Sequence, residues 1–389
     1  VNVDDLLKTA VNDAVREVPP GFADGAIRRA RRARRTARLV AAGGTAVVVA
    51  AAAVGASVIG ANGPSTGADP AGLGLVELAR LDAGPAPEVP WYGGDALHFG
   101  DSATPFEYLG GLESPPATIA RISGGYVVTQ GEADLAHATV TLVRDDGEQI
   151  ELTTGLAQPP VVSSDGERVA WSVRNEEVVR DTPQTFTTTV TVADATGEVV
   201  AQLPASASPY ADPAGFLADG RLVLNAEVDG EPGVYAWEVG DDAITPLPIP
   251  ASLLAMAPAA DLGLYNEGDG RYEVADLATG EDLWRFEDGK DAAFSPDGRY
   301  IAGSDRPDAP NPPLELVLRD ARTGDEVLRV AFEWIAHRIW ESPTSIVLSV
   351  VQGGEAALVR CTVDGDCERV TELLPADADP ALLDSPYLL

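Results

Sequence analysis

Lysine, histidine, cysteine and methionine are scarce in this chain: two lysines against 25 arginines, three histidines, two cysteines and one methionine in 389 residues. Each scarcity excludes something. Two cysteines with no histidine beside them cannot supply the four ligands of a structural zinc site. The histidines, His98, His137 and His337, are scattered, and no two stand at metal-ligand spacing. No G-x-x-x-x-G-K segment and no dinucleotide-type glycine motif follows a strand-like run, so no cofactor is expected. Positive charge is outnumbered over most of the chain. Residues 1–61 hold nine basic and five acidic side chains, which leaves 18 and 56 in the remainder, a net of −38. Such a surface repels nucleic acid and anionic headgroups, and no nucleic-acid partner is expected. Long apolar runs are missing everywhere except Leu39–Ala61.

That one run organises the rest. It is 23 residues without a charge, preceded by Arg28, Arg29, Arg31, Arg32, Arg34, Arg35 and Arg38. A helix of that length rises about 34 Å, enough for a hydrocarbon core of about 30 Å. The arginines are expected to hold residues 1–38 in the cytoplasm and send everything after residue 61 outside, as a single-pass protein of the cell membrane. A cleavable export signal is the rival reading, since Arg34-Arg35 loosely resembles a twin-arginine signal. The run is longer than a signal's apolar region and no Ala-x-Ala site closes it, which favours an uncleaved anchor.

On the cytoplasmic side, Val3, Leu7, Val11, Ala14 and Val18 form a helical stripe, stopped by Pro19-Pro20-Gly21. Its opposite face is acidic as well as basic, unlike a membrane-surface helix. A cytoplasmic protein on residues 1–20 is the partner this predicts. Residues 62–90 read as an extracytoplasmic linker of turn-type composition, with a short helix possible only over Leu73–Leu81. Gly63-Pro64-Ser65-Thr66-Gly67 matches G-x-S-x-G, but it lies in that linker without the strand and helix a nucleophile elbow needs.

Residues 91–389 change character. Short runs rich in Val, Thr and aromatics, such as Tyr126–Gln130, Arg168–Val173, Arg221–Val228 and Ser345–Val351, alternate with Asp-Gly turns. Two motifs recur. Asp165-Gly166, Asp219-Gly220 and Asp297-Gly298 each precede an apolar strand; Asp194–Gly197, Asp276–Gly280 and Asp320–Gly324 are hairpin turns ending in Thr-Gly. Asp165 to Asp297 is three steps of 44 residues, and Gly280 to Gly324 is one. A period near 44 made of four strands is a propeller blade. The expected fold is therefore all-β. Six full units end near residues 155, 206, 250, 287, 332 and 374. The pieces Asp95–Gly100 and Pro105–Leu109 are expected to join the C-terminal tail in a seventh blade, with six blades as the alternative.

The segment Phe294-Ser295-Pro296-Asp297-Gly298-Arg299-Tyr300-Ile301-Ala302 resembles the start of a blade in WD-repeat-like and TolB-like propellers. No Trp-Asp dipeptide closes a blade. The whole layout resembles a group of actinobacterial single-pass proteins with an Arg-rich stretch, an Ala-rich anchor and an exported propeller. That resemblance implies an extracytoplasmic binding or sensing role, in some members linked to extracytoplasmic-function sigma factors. The His-x-x-x-Cys-x-x-Cys motif of many anti-sigma factors is absent here.

Individual residues fit this frame. If Val363-Asp364-Gly365 form a three-residue hairpin loop with Gly365 left-handed, Cys361 faces Cys367 and the pair bridges outside the cell. Trp91, Trp171, Trp237, Trp284, Trp334 and Trp340 are expected between blades. The acid pairs Asp145-Asp146, Glu176-Glu177 and Asp241-Asp242 sit beside turns, and no catalytic or metal-binding residue is assigned. The functional expectation is a non-enzymatic module that recognises a protein, a cell-wall polymer or a small ligand at the mouth of the ring. A sigma-factor-linked signalling protein and an exported hydrolase are the alternatives.

Overall fold

The structure, a computed structural model, describes residues 75–93, 96–107, 118–130, 138–155, 159–175, 187–204, 207–241, 243–266, 271–287, 292–305, 314–376 and 387–388. The expected cytoplasmic helix, the seven arginines, the expected 39–61 anchor, the Gly63–Gly67 motif, His137, Glu176-Glu177 and Asp242 lie outside them. Among the described residues no helix is long and apolar enough to cross a membrane.

The described strands form seven antiparallel sheets. Blades 2 to 7 begin with inner strands Thr118–Ile122, Val161–Val162, Ala211–Phe216, Leu253–Ala257, Ala293–Phe294 and Trp334–Ser342, and each runs outward in chain order to a fourth strand. Blade 1 takes three strands from the front of the ring, Trp91–Gly93, Ala96–Phe99 and Ser102–Pro105, and its inner strand, Tyr387–Leu388, from the C-terminus. The pairing is Trp91 with Leu388 and Tyr92 with Tyr387. Seven blades closed from both chain ends is the expected arrangement. Blade 1 starts four residues earlier than its expected first piece, and its outer strand ends at Pro105 instead of starting there.

Closure shows in the core. A four-stranded sheet has two faces and cannot bury both alone. Here each of seven apolar clusters joins one blade to the next. Tyr92 and Leu97 of blade 1 meet Ile119 and Tyr126 of blade 2. Trp171 meets blade 2, Trp237 meets blade 3, and Trp340 meets blade 6. The last cluster places Val347 and Leu358 of blade 7 against Val89 and Trp91, which completes the ring. Two indoles also bond across the gap, Trp284 Nε1 to the Ala321 carbonyl (2.8 Å) and Trp340 Nε1 to that of Ala293 (3.0 Å). Five of the six tryptophans thus pack between blades. Trp334 does not: it is 49% exposed.

The repeated turns have a simple cause. Asp194, Asp276 and Asp320 each accept from backbone N–H groups two or three residues on, and the following Gly197, Gly280 and Gly324 sit at φ +85°, +72° and +77°. An Asx turn followed by a left-handed residue joins the third strand to the outer one. The cysteine hairpin shares the left-handed glycine. Gly365 has φ +94°, Cys361 pairs with Cys367 in register, and the two are disulfide-bonded.

Residues 75–90 differ from the linker reading: they are a strap on the ring. Val76 N donates to Ala331 O of blade 6, and Leu78, in a single 3-10 turn, is buried between blades 6 and 7. Ala83 bridges Arg369 in parallel on the outer edge of blade 7. Val89 then fills the gap between blades 7 and 1. Arg360, in the third strand of blade 7, clamps the strap. It bonds Glu341, Glu368 and the carbonyls of Pro85 and Ala86. Glu341 in turn accepts from Glu88 N at 2.7 Å. The strap looks like a linker in composition because its anchoring is by backbone and by two isolated apolar residues.

Two predictions follow from these contacts. A Cβ on Gly280 would lie 2.0 Å from the Pro248 carbonyl oxygen, whereas one on Gly147 (φ +90°) meets nothing within 4 Å. Both positions disfavour alanine by about 1 kcal/mol of backbone strain, so Gly280→Ala will lose clearly more stability than Gly147→Ala in urea unfolding. Burial pushes the Glu341 carboxyl up, but the Arg360 guanidinium, the Glu88 N–H and the Ser345 hydroxyl outweigh it and hold it below the usual glutamate range. The contribution is therefore present above that ordinary range and is lost as pH falls through the depressed value. Acid will expose the strap to protease before the ring unfolds, and Glu341→Gln will expose it at neutral pH. Leaving Arg360 without its nearest partner costs about 3 kcal/mol if the site were fully buried.

Candidate functional site

Strand direction defines two faces. Every inner strand starts where the chain arrives from the previous blade, so all inner strands run the same way along the central opening. The Asp-Gly turns after the inner strands and the Asx turns after the third strands leave at the far face. Connections from the second to the third strand, and from one blade to the next, leave at the near face. The heads of the inner strands form the mouth there.

Three large apolar side chains that the core does not take up stand at these heads. Leu254 is the second residue of its strand, Trp334 the first, and Tyr210 immediately precedes Ala211; they are 52%, 49% and 45% exposed. Among the described residues the other exposed large apolar ones are Leu75 on the strap and Val199, Val200 and Val327 on outer strands. Folding pressure buries such side chains, and singly exposed ones are ordinary. Three at the heads of inner strands is a positional bias.

Tyr210 is held firmly. Its carbonyl accepts from Glu227 N (2.9 Å) and from Ser208 Oγ (2.5 Å), and the neighbouring Pro209 carbonyl accepts from Thr188 N (3.0 Å). Its hydroxyl donates to Asp212 Oδ2, while Ser172 Oγ donates to Asp212 Oδ1 at 2.8 Å. Asp212, Ser172, Thr188 and Ser208 are all buried. Blade 3 and blade 4 are stitched together by this group, and its visible product is a fixed tyrosine ring at the mouth. Burial first, then the Asp212 carboxylate, pushes the Tyr210 phenol up to about 12. At neutral pH the phenol stays protonated and engaged, suited to stacking and not to proton transfer. From the second strand of blade 4, Asn225 spans the gap to blade 5 by pairing with both the N–H (2.8 Å) and the carbonyl (2.9 Å) of Leu253, next to Leu254.

The residues weighed in the sequence fall elsewhere. His98 stacks on Trp91 at 4.0 Å and bonds the Gly93 carbonyl, so it supports blade 1. His337 lies half-buried within the inner strand of blade 7. Asp145 pairs with Arg121 at 2.6 Å, Asp146 caps the Glu148 N–H, and Asp241 closes a turn around the Trp237 indole. Among the described residues no group of three His, Cys, Asp or Glu side chains could hold a metal ion. Sequence reasoning pointed to a mouth but to none of its residues, because Tyr210, Leu254 and Trp334 are the types that also fill cores.

No family model and no curated protein matches the chain. Solved structures similar to it include TolB from Acinetobacter baumannii, at 14% identity and a TM-score of 0.39, over 75% of this chain and 64% of that one. The chain thus spans less than two thirds of that protein. Another is an uncharacterized protein from Listeria monocytogenes EGD-e, at 11% identity and a TM-score of 0.43, over 68% of this chain and 87% of that one.

The Tyr210 arrangement generates a signed prediction. A phenol whose value is raised on folding keeps its stabilising contribution below its unfolded value near 10 and loses it as pH climbs toward about 12. Burial also pushes the Tyr126 phenol up, so tyrosinate absorbance should show a late-titrating component that Tyr210→Phe reduces without abolishing, and the variant should lose less stability than the parent across that alkaline window.

Proposed function

We propose that this chain is a membrane-tethered, extracytoplasmic binding module that recognises a protein or cell-surface ligand at the mouth of its propeller and performs no chemistry of its own. The anchor is Leu39–Ala61, oriented by Arg28, Arg29, Arg31, Arg32, Arg34, Arg35 and Arg38, with the N-terminus cytoplasmic. A disulfide between Cys361 and Cys367 supports an oxidising compartment. The single observation that carries the binding role is the placing of exposed Tyr210, Leu254 and Trp334 at the heads of inner strands, with Tyr210 fixed by buried partners. Rigid aromatic anchors on a preformed ring lose little entropy on binding, and such residues dominate interface energies.

A second reading gives residues 1–20 a cytoplasmic partner, in the manner of a signalling protein that holds a sigma-factor-type regulator. The apolar stripe of that segment, with a mixed-charge face opposite, favours it.

Protease added to intact cells should remove the propeller and leave residues 1–38 protected; the reverse pattern would refute the topology. In-cell crosslinking of the exported part should enrich a specific partner. Replacing Leu254 and Trp334 together by alanine should cut that capture by about tenfold or more with little change in thermal stability. An immobilised peptide of residues 1–20 that enriches nothing from cytosol would sink the second reading.

A further inference from the structure

A strand at the edge of a sheet shows water a row of backbone N–H and C=O groups without a neighbour, and folds guard such edges with charge, proline or a covering segment. Among the described residues each of the seven sheets has one outer strand on the rim of the ring. Gln149–Thr154 of blade 2 carries the exposed Glu151, and Asp282–Glu287 of blade 5 carries the exposed Arg285. Glu326–Phe332 of blade 6 carries Arg329 and is met by the strap at Ala331. Ser102–Pro105 of blade 1 and Ile244–Pro246 of blade 4 are short and end in proline. Cys367–Arg369 of blade 7 is covered by the strap at Ala83.

Val199–Leu203 of blade 3 has none of these guards. The strand, Val-Val-Ala-Gln-Leu, holds no charge and no proline, and no described strand pairs with its outer side. Val199 and Val200 are 51% and 50% exposed. Its inner side is firmly seated: Leu203 is buried in the cluster shared with blade 4, and Gln202 Nε2 donates to Thr191 Oγ1 at 3.2 Å. The ladder shifts register between Val192 and Ala193, but the same irregularity recurs in blades 2, 5 and 6, so it belongs to the blade and does not guard this edge. The rim already takes an extended segment elsewhere. At blade 7 Gly84 N donates to the Arg369 carbonyl (2.6 Å) and Arg369 N to that of Asp82 (2.8 Å), so the strap lies along that outer strand by main-chain bonds.

We propose that the outer edge of blade 3 accepts an extended segment of a partner protein as a fifth strand. Main-chain bonds along Val199–Leu203 supply the affinity, and β-branched side chains of the incoming segment cover Val199 and Val200. Charge selects the occupant. Beyond residue 61 the chain carries a net −38, and the exposed Glu198 stands at the head of this strand. A second copy would bring the same negative excess to the contact. The segment that fits is therefore apolar in its middle and basic at its ends. The edge lies on the outside of the ring, away from the heads of the inner strands, and the proposal does not rest on the function assigned to the mouth.

The probe is a fluorescent peptide, Lys-Thr-Val-Thr-Val-Thr-Lys, titrated into the full chain and followed by anisotropy. Saturable binding is expected, together with slower amide hydrogen exchange over residues 199–203. A peptide with glutamate at both ends, and one N-methylated at every central residue so that its main-chain donors are lost, should each bind about tenfold more weakly or worse. Val200→Lys, which charges the edge at a half-exposed position, should weaken binding to the same extent with little change in thermal stability. Val327→Lys, on the outer strand of blade 6, should leave binding unchanged. Absence of a saturable site, equal binding of either control peptide, or unchanged affinity in Val200→Lys would overturn the proposal. Sedimentation of the chain as a dimer that Val200→Lys dissociates would also overturn it, by giving the edge to a second copy. If Val200→Lys fails to fold, hydrogen exchange in the unaltered chain decides: protection over residues 199–203 upholds the edge, and protection elsewhere overturns it.

Discussion

Everything in this ring depends on closure, and closure is made at its weakest blade. Blade 1 has strands of three, four and four residues, and its inner strand is the pair Tyr387–Leu388. Six sheets in an arc would leave the outward faces of the first and last in water, exposing the apolar sides of blades 2 and 7. A short blade with few apolar residues must therefore seal two large ones. On one side it does so with aromatic packing. Tyr92 and Phe106 meet edge to face, and Arg121 of blade 2 lies over Phe99 and Tyr126 at 5.0 and 4.7 Å while pairing with Asp145. On the other side the blade is insufficient, and Val89 with the rest of the strap completes the contact.

That division of labour explains why charge is buried at the seam. Arg360 and Glu341 have side-chain exposures of 12% and 7%, so both are largely desolvated. Such a pair contributes little net stability over an apolar replacement, because desolvation offsets most of the attraction. Its value is directional: it fixes strap carbonyls and N–H groups that have no periodic partner. The disulfide lies one residue from Arg360 and ties the outer strand, on whose edge Ala83 bridges, to the strand that carries the clamp. Seam, clamp and crosslink thus occupy one contiguous patch of blade 7.

How much of this was legible follows from which forces are local. Asp165-Gly166 and Asp276–Gly280 announce themselves because an Asx turn and a left-handed backbone restrict residue type over three or four positions, and the cysteine hairpin does so through its left-handed Gly365. Their 44-residue spacing then gives the blade repeat without any long-range information. The six blade ends expected near residues 155, 206, 250, 287, 332 and 374 fall beside the observed outer strands for the same reason. The strap is illegible because Asp82–Pro87 has linker composition and gains its structure only from the edge of blade 7. The C-terminal tail's place in the closing blade was legible from the count of units, but the residues of its strand were not, because two residues show no period. The mouth is illegible because strand alternation says which residues share a face, not which end of the strand water reaches; Trp334 was expected in a core on residue type alone.

The chain order of these parts has a mechanical consequence on the tethered reading. Residues 62–74 separate the proposed anchor from the strap, a reach of at most about 45 Å when fully extended at roughly 3.5 Å per residue. Any load carried along that segment meets Val76, Leu78 and Ala83 before it meets a blade. The contacts first loaded are therefore those that complete the blade 7 to blade 1 seam, not those that surround the mouth. A strap held by scattered backbone bonds gives way more readily than a sheet ladder, since each bond can break without its neighbours. Tension on the tether would thus be felt at the seam, while Tyr210 and its buried partners, placed between blades 3 and 4, keep their geometry. On that reading the surface proposed to recognise is separate from the surface that would be pulled.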